Sequence, residues 1–262
     1  MTPVLMEVRG AGFKYAAQTI FEALDLNVSA GEVLTVLGAN GCGKSTLLRC
    51  LAGTLRLSAG SVRIGGEELA GLDSTSRAKK VAILFQEHQV TFPFSALDIV
   101  TMGRTPYLST FGSPSAQDRE AAARALEEFG LLHVKDRAYT ELSGGERQLV
   151  LLCRTFVQQP DVILLDEPTA HLDFKNQVRC LHMIGMLAER GVAVVLTSHD
   201  PNHAFLFPGR ALLMQLNREL VSGTPSEIIN RASLAATYGI DVGVFSVERP
   251  PPAKDLTFCS PW

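Results

Sequence analysis

Three apolar runs stand out along the chain: EVLTVLG (residues 32–38), DVILLDE (161–167) and VAVVLTSH (192–199). Each is rich in Val, Leu and Ile, lacks polar alternation and ends in polar residues. Unbroken apolar strands of this kind are buried on both faces, as in a largely parallel sheet covered by helices. The run VAILFQ (81–86) follows the same rule. The first 30 residues differ: MEVRGAGFKY and EALDLNVS are shorter and partly alternating, the pattern of an antiparallel edge sheet. From 86 to 160 the periodicity is mostly helical. Ser115 and Asp118 predict a capped start for a helix through Phe129, and 146–157 reads as another helix. After Gly223, residues 224–230 predict a short helix and 240–247 a strand, whereas the Pro-rich tail around RPPPAK receives no assignment.

In an open α/β sheet, ligands sit beyond the carboxyl ends of the strands, so the polar residues that close these runs carry the chemistry. Gly38, Ala39, Asn40, Gly41, Cys42, Gly43, Lys44, Ser45 and Thr46 fit the G-x-x-x-x-G-K-[ST] phosphate loop, with a strand before and a helix-like TLLRCLAG around and after it. The glycines let backbone N–H groups converge on phosphate oxygens, and a helix N-terminus adds partial positive charge. Lys44 is expected to reach the terminal phosphates and Ser45 to ligate Mg²⁺. At the end of the second run, Asp166 is placed to hold Mg²⁺, through water, and Glu167 to orient and deprotonate the attacking water. Cys42, at a helix N-terminus beside Lys44, is expected to favour the reactive thiolate. The stretch LSGGERQ (142–148) offers a second phosphate-binding helix start in Ser143, Gly144 and Gly145. One nucleotide cannot easily use two such termini of one chain, so a head-to-tail pair is expected.

Composition narrows the classes further. The chain has 262 residues, 46% hydrophobic and 19% charged, with a formal net charge of −3. That balance gives no general attraction to nucleic acid, and none is expected as a partner. Five cysteines without C-x-x-C pairing argue against a disulfide framework. Neither a signal peptide nor a run of about 18 apolar residues is visible, so the expected place is the cytoplasmic face of the inner membrane, held peripherally by another subunit.

Taken together, these residues resemble the ATP-binding cassette family over nearly the whole chain, and LSGG is that family's own signature. The resemblance implies an α/β fold: a P-loop NTPase core with a mainly parallel sheet, an N-terminal antiparallel β sub-domain and an inserted helical sub-domain. Core and β sub-domain would occupy 1–87 and 160–223, the helical sub-domain 88–159 and a C-terminal extension 224–262. It implies ATP and Mg²⁺ as cofactors, with Tyr15 stacking on adenine and Gln86 sensing Mg²⁺ and linking to a membrane partner. Ser143, Gly144 and Gly145 would bind the γ-phosphate held by the opposite copy, Asp173 would keep its place in the loop AHLD, and His199 would contact the γ-phosphate. Glu146, where glutamine is commoner, is expected to leave the phosphate-binding atoms unchanged. His203, four residues after His199, is read as a capping or surface histidine.

Three kinds of cassette remain to be separated: an importer ATPase with separate membrane subunits, an export ATPase, and a soluble ATPase of repair or translation. The short interval between Gln86 and Leu142 and the single cassette disfavour the third. The segment ending MGRTPY (102–107), with PTAHLD and SHDPNHA, resembles importers for siderophores, haem, vitamin B12 and molybdate. The expected partners are a second copy, transmembrane permease subunits and, indirectly, a substrate-binding protein. Within residues 92–107, Phe92, Phe94, Leu97, Ile99, Val100 and Tyr107 are expected to form a groove for the permease, with Arg104 as its anchor.

Overall fold

The fold is described from a computed structural model for residues 2–85, 92–109, 112–248 and 256–260. Two long strands, β1 (Val4–Tyr15) and β2 (Gln18–Ser29), form an antiparallel hairpin that pairs Tyr15 with Gln18 at its tip. They are followed by β3 (Val33–Gly38), α1 (Lys44–Leu51), β4 (Ala59–Ile64), β5 (Glu67–Glu68), α2 (Ser74–Lys80) and β6 (Val81–Leu84). The next elements are helical: α3 (Ala96–Thr101), a 3-10 segment Met102–Tyr107, α4 (Ala116–Glu128) and α5 (Gly144–Val157). The chain then runs through β7 (Val162–Leu165), α6 (Phe174–Glu189), β8 (Ala193–Ser198), β9 (Gly209–Met214) and β10 (Leu220–Gly223). It finishes in α7 (Pro225–Ile228), α8 (Arg231–Tyr238), β11 (Gly243–Val247) and β12 (Leu256–Ser260).

Among the described residues the strands form three sheets. An antiparallel sheet runs β2-β1-β4-β5, a second sheet runs β10-β9-β3-β8-β7-β6, and β11 pairs with β12. In the second sheet β9, β3, β8, β7 and β6 are parallel and β10 is antiparallel at one edge. The fold is therefore the α/β, parallel-rich architecture that the apolar runs predict. Its register matters for function. β3 lies beside β8 with Leu37 opposite Ser198, and β8 lies beside β7 with Leu196 opposite Leu165. The residues that follow β3, β7 and β8 consequently emerge together at one edge.

Both faces of this sheet are covered. Ile163, Leu165, Val194 and Leu196 join Val100, Leu126, Leu149 and Ile184 of the helices in one core. Their neighbours Val162, Leu164, Ala193 and Val195 face the other way, against Val8 and Phe21 of the antiparallel sheet and Leu47 of α1. A buried side chain of this size contributes about 1.5–3 kcal/mol, so polar alternation on β7 or β8 would remove one core or the other. Ser115 caps α4 through the expected capping box with Asp118, and Phe129 is its C-cap. The helix expected from 146 starts at Gly144, because Ser143 caps it. The unassigned tail includes β12, and a helix, α8, precedes the expected strand of residues 240–247. Among the described residues no helix is long and apolar enough to cross a membrane.

Candidate functional site

The turn between β3 and α1 builds the phosphate loop. Gly43 caps α1 at φ 110, a left-handed conformation that a side chain resists, and a Cβ there would run into Ile20. This glycine therefore keeps the loop backbone close against β2. The helix start that follows directs its unpaired N–H groups outward. They border a cleft of about 620 Å³ lined by Asn40, Gly41, Gly43, Lys44, Ser45 and Thr46 on one side and by Glu167, Ala170, His171 and His199 on the other. Gly38 and Ala39 sit behind Lys44: its buried ammonium donates to Gly38 O at 2.8 Å and Ala39 O at 3.3 Å. The same ammonium is 3.3 Å from Glu167 Oε1.

Glu167 is addressed from two sides, because His199 Nδ1 lies 3.5 Å from its other oxygen, Oε2. Its backbone is strained at φ 47, a region non-glycine residues enter at a cost of about 1–3 kcal/mol and tend to occupy at functional sites. What holds it there is Thr197, a residue the sequence reading passed over as part of an apolar strand. The Thr197 side chain is fully buried. Its Oγ1 accepts from Glu167 N at 2.8 Å and donates to Asp166 Oδ1 at 2.9 Å. One hydroxyl thus fixes both acids after β7 from the neighbouring strand. The signal was a threonine two positions before the terminal histidine, on a strand whose next neighbour ends in acids.

The other expected site residues fall around this centre. Tyr15, 47% exposed, packs edge-on against Phe13 at 4.8 Å and does not line the cleft. Its pairing partner Gln18 lines an adjoining recess of about 210 Å³ that includes Asn40, Gly41 and Cys42. Asp173 caps α6, accepting from Asn176 N at 2.8 Å. Ser143, Gly144 and Gly145 lie away from the cleft lining, at the start of α5. A Cβ on Gly145 would collide with Asn176, whereas a Cβ on Gly144 would meet open space. Gln86 lies outside the described residues.

Several expectations change. Burial pushes the Cys42 thiol above its ordinary value despite Lys44, so desolvation outweighs the helix terminus and the thiolate is not favoured. Glu146 closes a capping box at the start of α5, its carboxylate accepting from Ser143 Oγ at 2.8 Å and Ser143 N at 2.9 Å. His203 is neither a surface group nor a cap. It is largely buried and hydrogen-bonds Ser198 Oγ through Nδ1 at 2.9 Å, and burial lowers its pKa. Among the described residues no cluster of acids, cysteines and histidines could by itself hold a metal.

The expected permease groove is also altered. Arg104 is consumed inside the chain, bonding Asp118 Oδ1 at 3.1 Å and Val157 O at 3.0 Å and lying 4.1 Å over the Tyr107 ring. Ile99 and Val100 are core residues and Leu97 packs on that core. Phe92, Phe94 and Tyr107 are the exposed members.

Comparison with known proteins agrees with this geometry. Residues 21–170 match the family described as ABC transporter. A hemin import ATP-binding protein, HmuV, of Gloeobacter violaceus is 37% identical over 243 residues, 90% of this chain and 88% of that one. A molybdate import ATP-binding protein, MolC, of Haemophilus influenzae is 34% identical over 235 residues, 89% of this chain and 87% of that one. A solved structure described as a metal-chelate type ABC transporter in an inward-facing conformation superposes with a TM-score of 0.86 at 32% identity, covering 98% of this chain and 97% of that one. A phosphate loop facing a glutamate and a histidine across one cleft, on a chain so matched, has one family assignment: the protein belongs to the ABC transporter family as an ATP-binding, ATP-hydrolysing subunit.

Proposed function

We propose that ATP hydrolysis by this chain powers import of a metal chelate or metal oxyanion through a separate membrane permease. The observation that carries the chemistry is the Glu167 carboxylate, set between Lys44 and His199 at the mouth of the phosphate loop. The names of the relatives, hemin and molybdate import proteins, support the cargo class. In this reading the N–H groups of the loop and the start of α1 bind the phosphates, and Lys44 leaves its carbonyl partners for the terminal phosphates. Tyr15 stacks on the adenine from the β1 end of the adjoining recess. Glu167 takes the proton of the attacking water, and His199 holds the γ-phosphate opposite it.

Ser45 and Asp166 fit Mg²⁺, since a hydroxyl and one carboxylate beside substrate phosphates are the oxygen donors this ion takes. Bound there, it would neutralise charge on the β- and γ-phosphates. Residues 88–159 act as a helical sub-domain that carries Ser143, Gly144 and Gly145 to the site of a second copy. The open space around Gly144 supports that assignment, because nothing described inside the chain requires glycine there. Gln86 and Asp173 complete the shared site, and the exposed Phe92, Phe94 and Tyr107 face the permease, which keeps the subunit peripheral at the membrane.

Reconstitution with the membrane and binding-protein subunits that co-purify with the chain tests the proposal. ATPase activity is expected to rise with loaded binding protein for hemin, a ferric siderophore, cobalamin or molybdate. Stimulation by a sugar, amino acid or peptide system alone would overturn the cargo class. Mixing Lys44→Ala with Ser143→Arg chains should restore part of the activity that each lacks alone, since one site of the mixed pair carries neither lesion. Full activity of strictly monomeric Ser143→Arg protein would overturn the pairing.

A further inference from the structure

The His199 imidazole is 60% exposed, so packing does not fix it and its place depends on the backbone that carries it. That backbone is tightly tied. Ser198 Oγ accepts from Asp200 N at 2.9 Å and shares a hydrogen bond with His203 Nδ1 at 2.9 Å. Asp200 Oδ1 in turn accepts from Asn202 N at 2.9 Å. His199 therefore sits between two anchored residues of one closed turn. The Asn202 side chain then reaches out of that turn into the C-terminal hairpin. Its Oδ1 accepts from Cys259 N at 2.7 Å and its Nδ2 donates to Cys259 O at 3.2 Å. A carboxamide that meets both polar groups of one peptide residue takes the place of a neighbouring strand.

The hairpin is itself anchored beneath the phosphate loop. Cys259 of β12 is buried with Leu37 of β3, Ala204 of the turn, Leu213 of β9 and Leu234 of α8. Leu37 is the residue immediately before the phosphate loop. The same C-terminal unit packs the half-buried Tyr238 against this core. The strand that presents the phosphate loop and the turn that presents His199 thus share one support, and Asn202 is the polar link between turn and support.

We infer that Asn202 is a positioning residue for His199, and that β12 is the fixed rail against which it sets the imidazole relative to Glu167 and the phosphate loop. The inference rests on the proposed role of His199 at the γ-phosphate. It extends the working parts of the ATPase into the C-terminal extension, none of whose described residues lines the cleft. Loss of the link should leave ATP binding in place, because the loop amides and Lys44 are untouched, and slow the chemical step.

A double-mutant cycle in the full chain tests this, using single-turnover hydrolysis of radiolabelled ATP, KM for ATP and thermal unfolding. Asn202→Ala is expected to lower kcat about tenfold with KM within about twofold, as displacement of a positioned group by a fraction of an ångström does. Asn202→Asp keeps the acceptor for Cys259 N and loses the donor to Cys259 O, so it should retain an intermediate rate while folded at the assay temperature. In a His199→Ala background, Asn202→Ala should change the rate by no more than about twofold, since residues acting through one another are not additive. Multiplicative losses in the double variant would show that Asn202 acts by another route and overturn the inference, as would wild-type kcat in Asn202→Ala. A His199→Ala chain with wild-type kcat would overturn instead the role of His199 on which the inference stands.

Discussion

Thr197→Val isolates the contribution of the hydroxyl that joins the two acids. The side chain is fully buried, so water cannot replace what it loses. Two hydrogen bonds go, Glu167 N to Oγ1 at 2.8 Å and Oγ1 to Asp166 Oδ1 at 2.9 Å. A bond to a charged group contributes about 1.5–3 kcal/mol, and an N–H left unsatisfied in a buried setting costs about 1–3 kcal/mol. The added methyl returns about 0.8 kcal/mol at most, and only if it fits. The expected destabilisation is therefore about 2–5 kcal/mol. The kinetic effect is separate from that loss. Glu167 is held at φ 47 partly by this bond, and a catalytic group that moves by about 1 Å loses about 10²-fold in rate. Phosphate release under saturating MgATP, nucleotide affinity and thermal unfolding should be measured on one preparation. Hydrolysis should fall by about 10–10²-fold with ATP affinity retained, and Thr197→Ser, which keeps the hydroxyl, should recover most of it. A Thr197→Val chain with unchanged kcat and unchanged unfolding temperature would refute the reasoning.

Other outcomes follow from the same geometry. Because burial raises the Cys42 pKa, its alkylation by a maleimide at pH 7 should be slower than that of a small free thiol and should still be rising with pH where the free thiol has levelled off; fast labelling at pH 7 would contradict this. Arg104→Glu sets a second carboxylate beside Asp118 in a largely buried pair, so it should destabilise the chain by about 3 kcal/mol; an unchanged unfolding midpoint in denaturant would show that the pair contributes nothing. Burial and His199 hold His203 below 6.5, opposed by Asp200. The unfolded chain therefore binds more protons as pH falls, and stability should decline from about pH 6.5 downward until the folded group is protonated. His203→Gln should flatten that part of the profile, and an unchanged slope would remove His203 as its cause.

Legibility of the sequence varied with how local the information was. β3, β7 and β8 were readable because burial on both faces leaves no solvent-facing position and so no polar alternation, and α4 because its capping box lies within Ser115–Asp118. The phosphate loop was readable for a similar reason: its backbone demands put glycine and lysine at fixed offsets. Thr197 was not, since its role depends on β8 lying beside β7, a pairing between distant segments. Arg104 was misread because residue type alone cannot show whether a guanidinium meets a partner or its own Asp118. Cys42 failed through competition: a helix terminus and Lys44 favour the thiolate, but burial, which sequence does not reveal, wins. α8 and β12 were missed because the C-terminal unit is short and gains its stability by packing on Leu37 and Leu213 rather than from its own pattern.

The central claim is that Glu167 takes the proton of the water that attacks ATP. Glu167→Gln keeps the shape of the side chain and removes its basicity, so the cleft and the phosphate contacts survive. Single-turnover hydrolysis of radiolabelled ATP by purified Glu167→Gln protein, read together with the amount of ATP that stays bound, measures the step directly. Hydrolysis is expected to fall by about 10²-fold or more while ATP remains bound and accumulates on the protein. Hydrolysis at the wild-type rate by the pure variant would contradict the account.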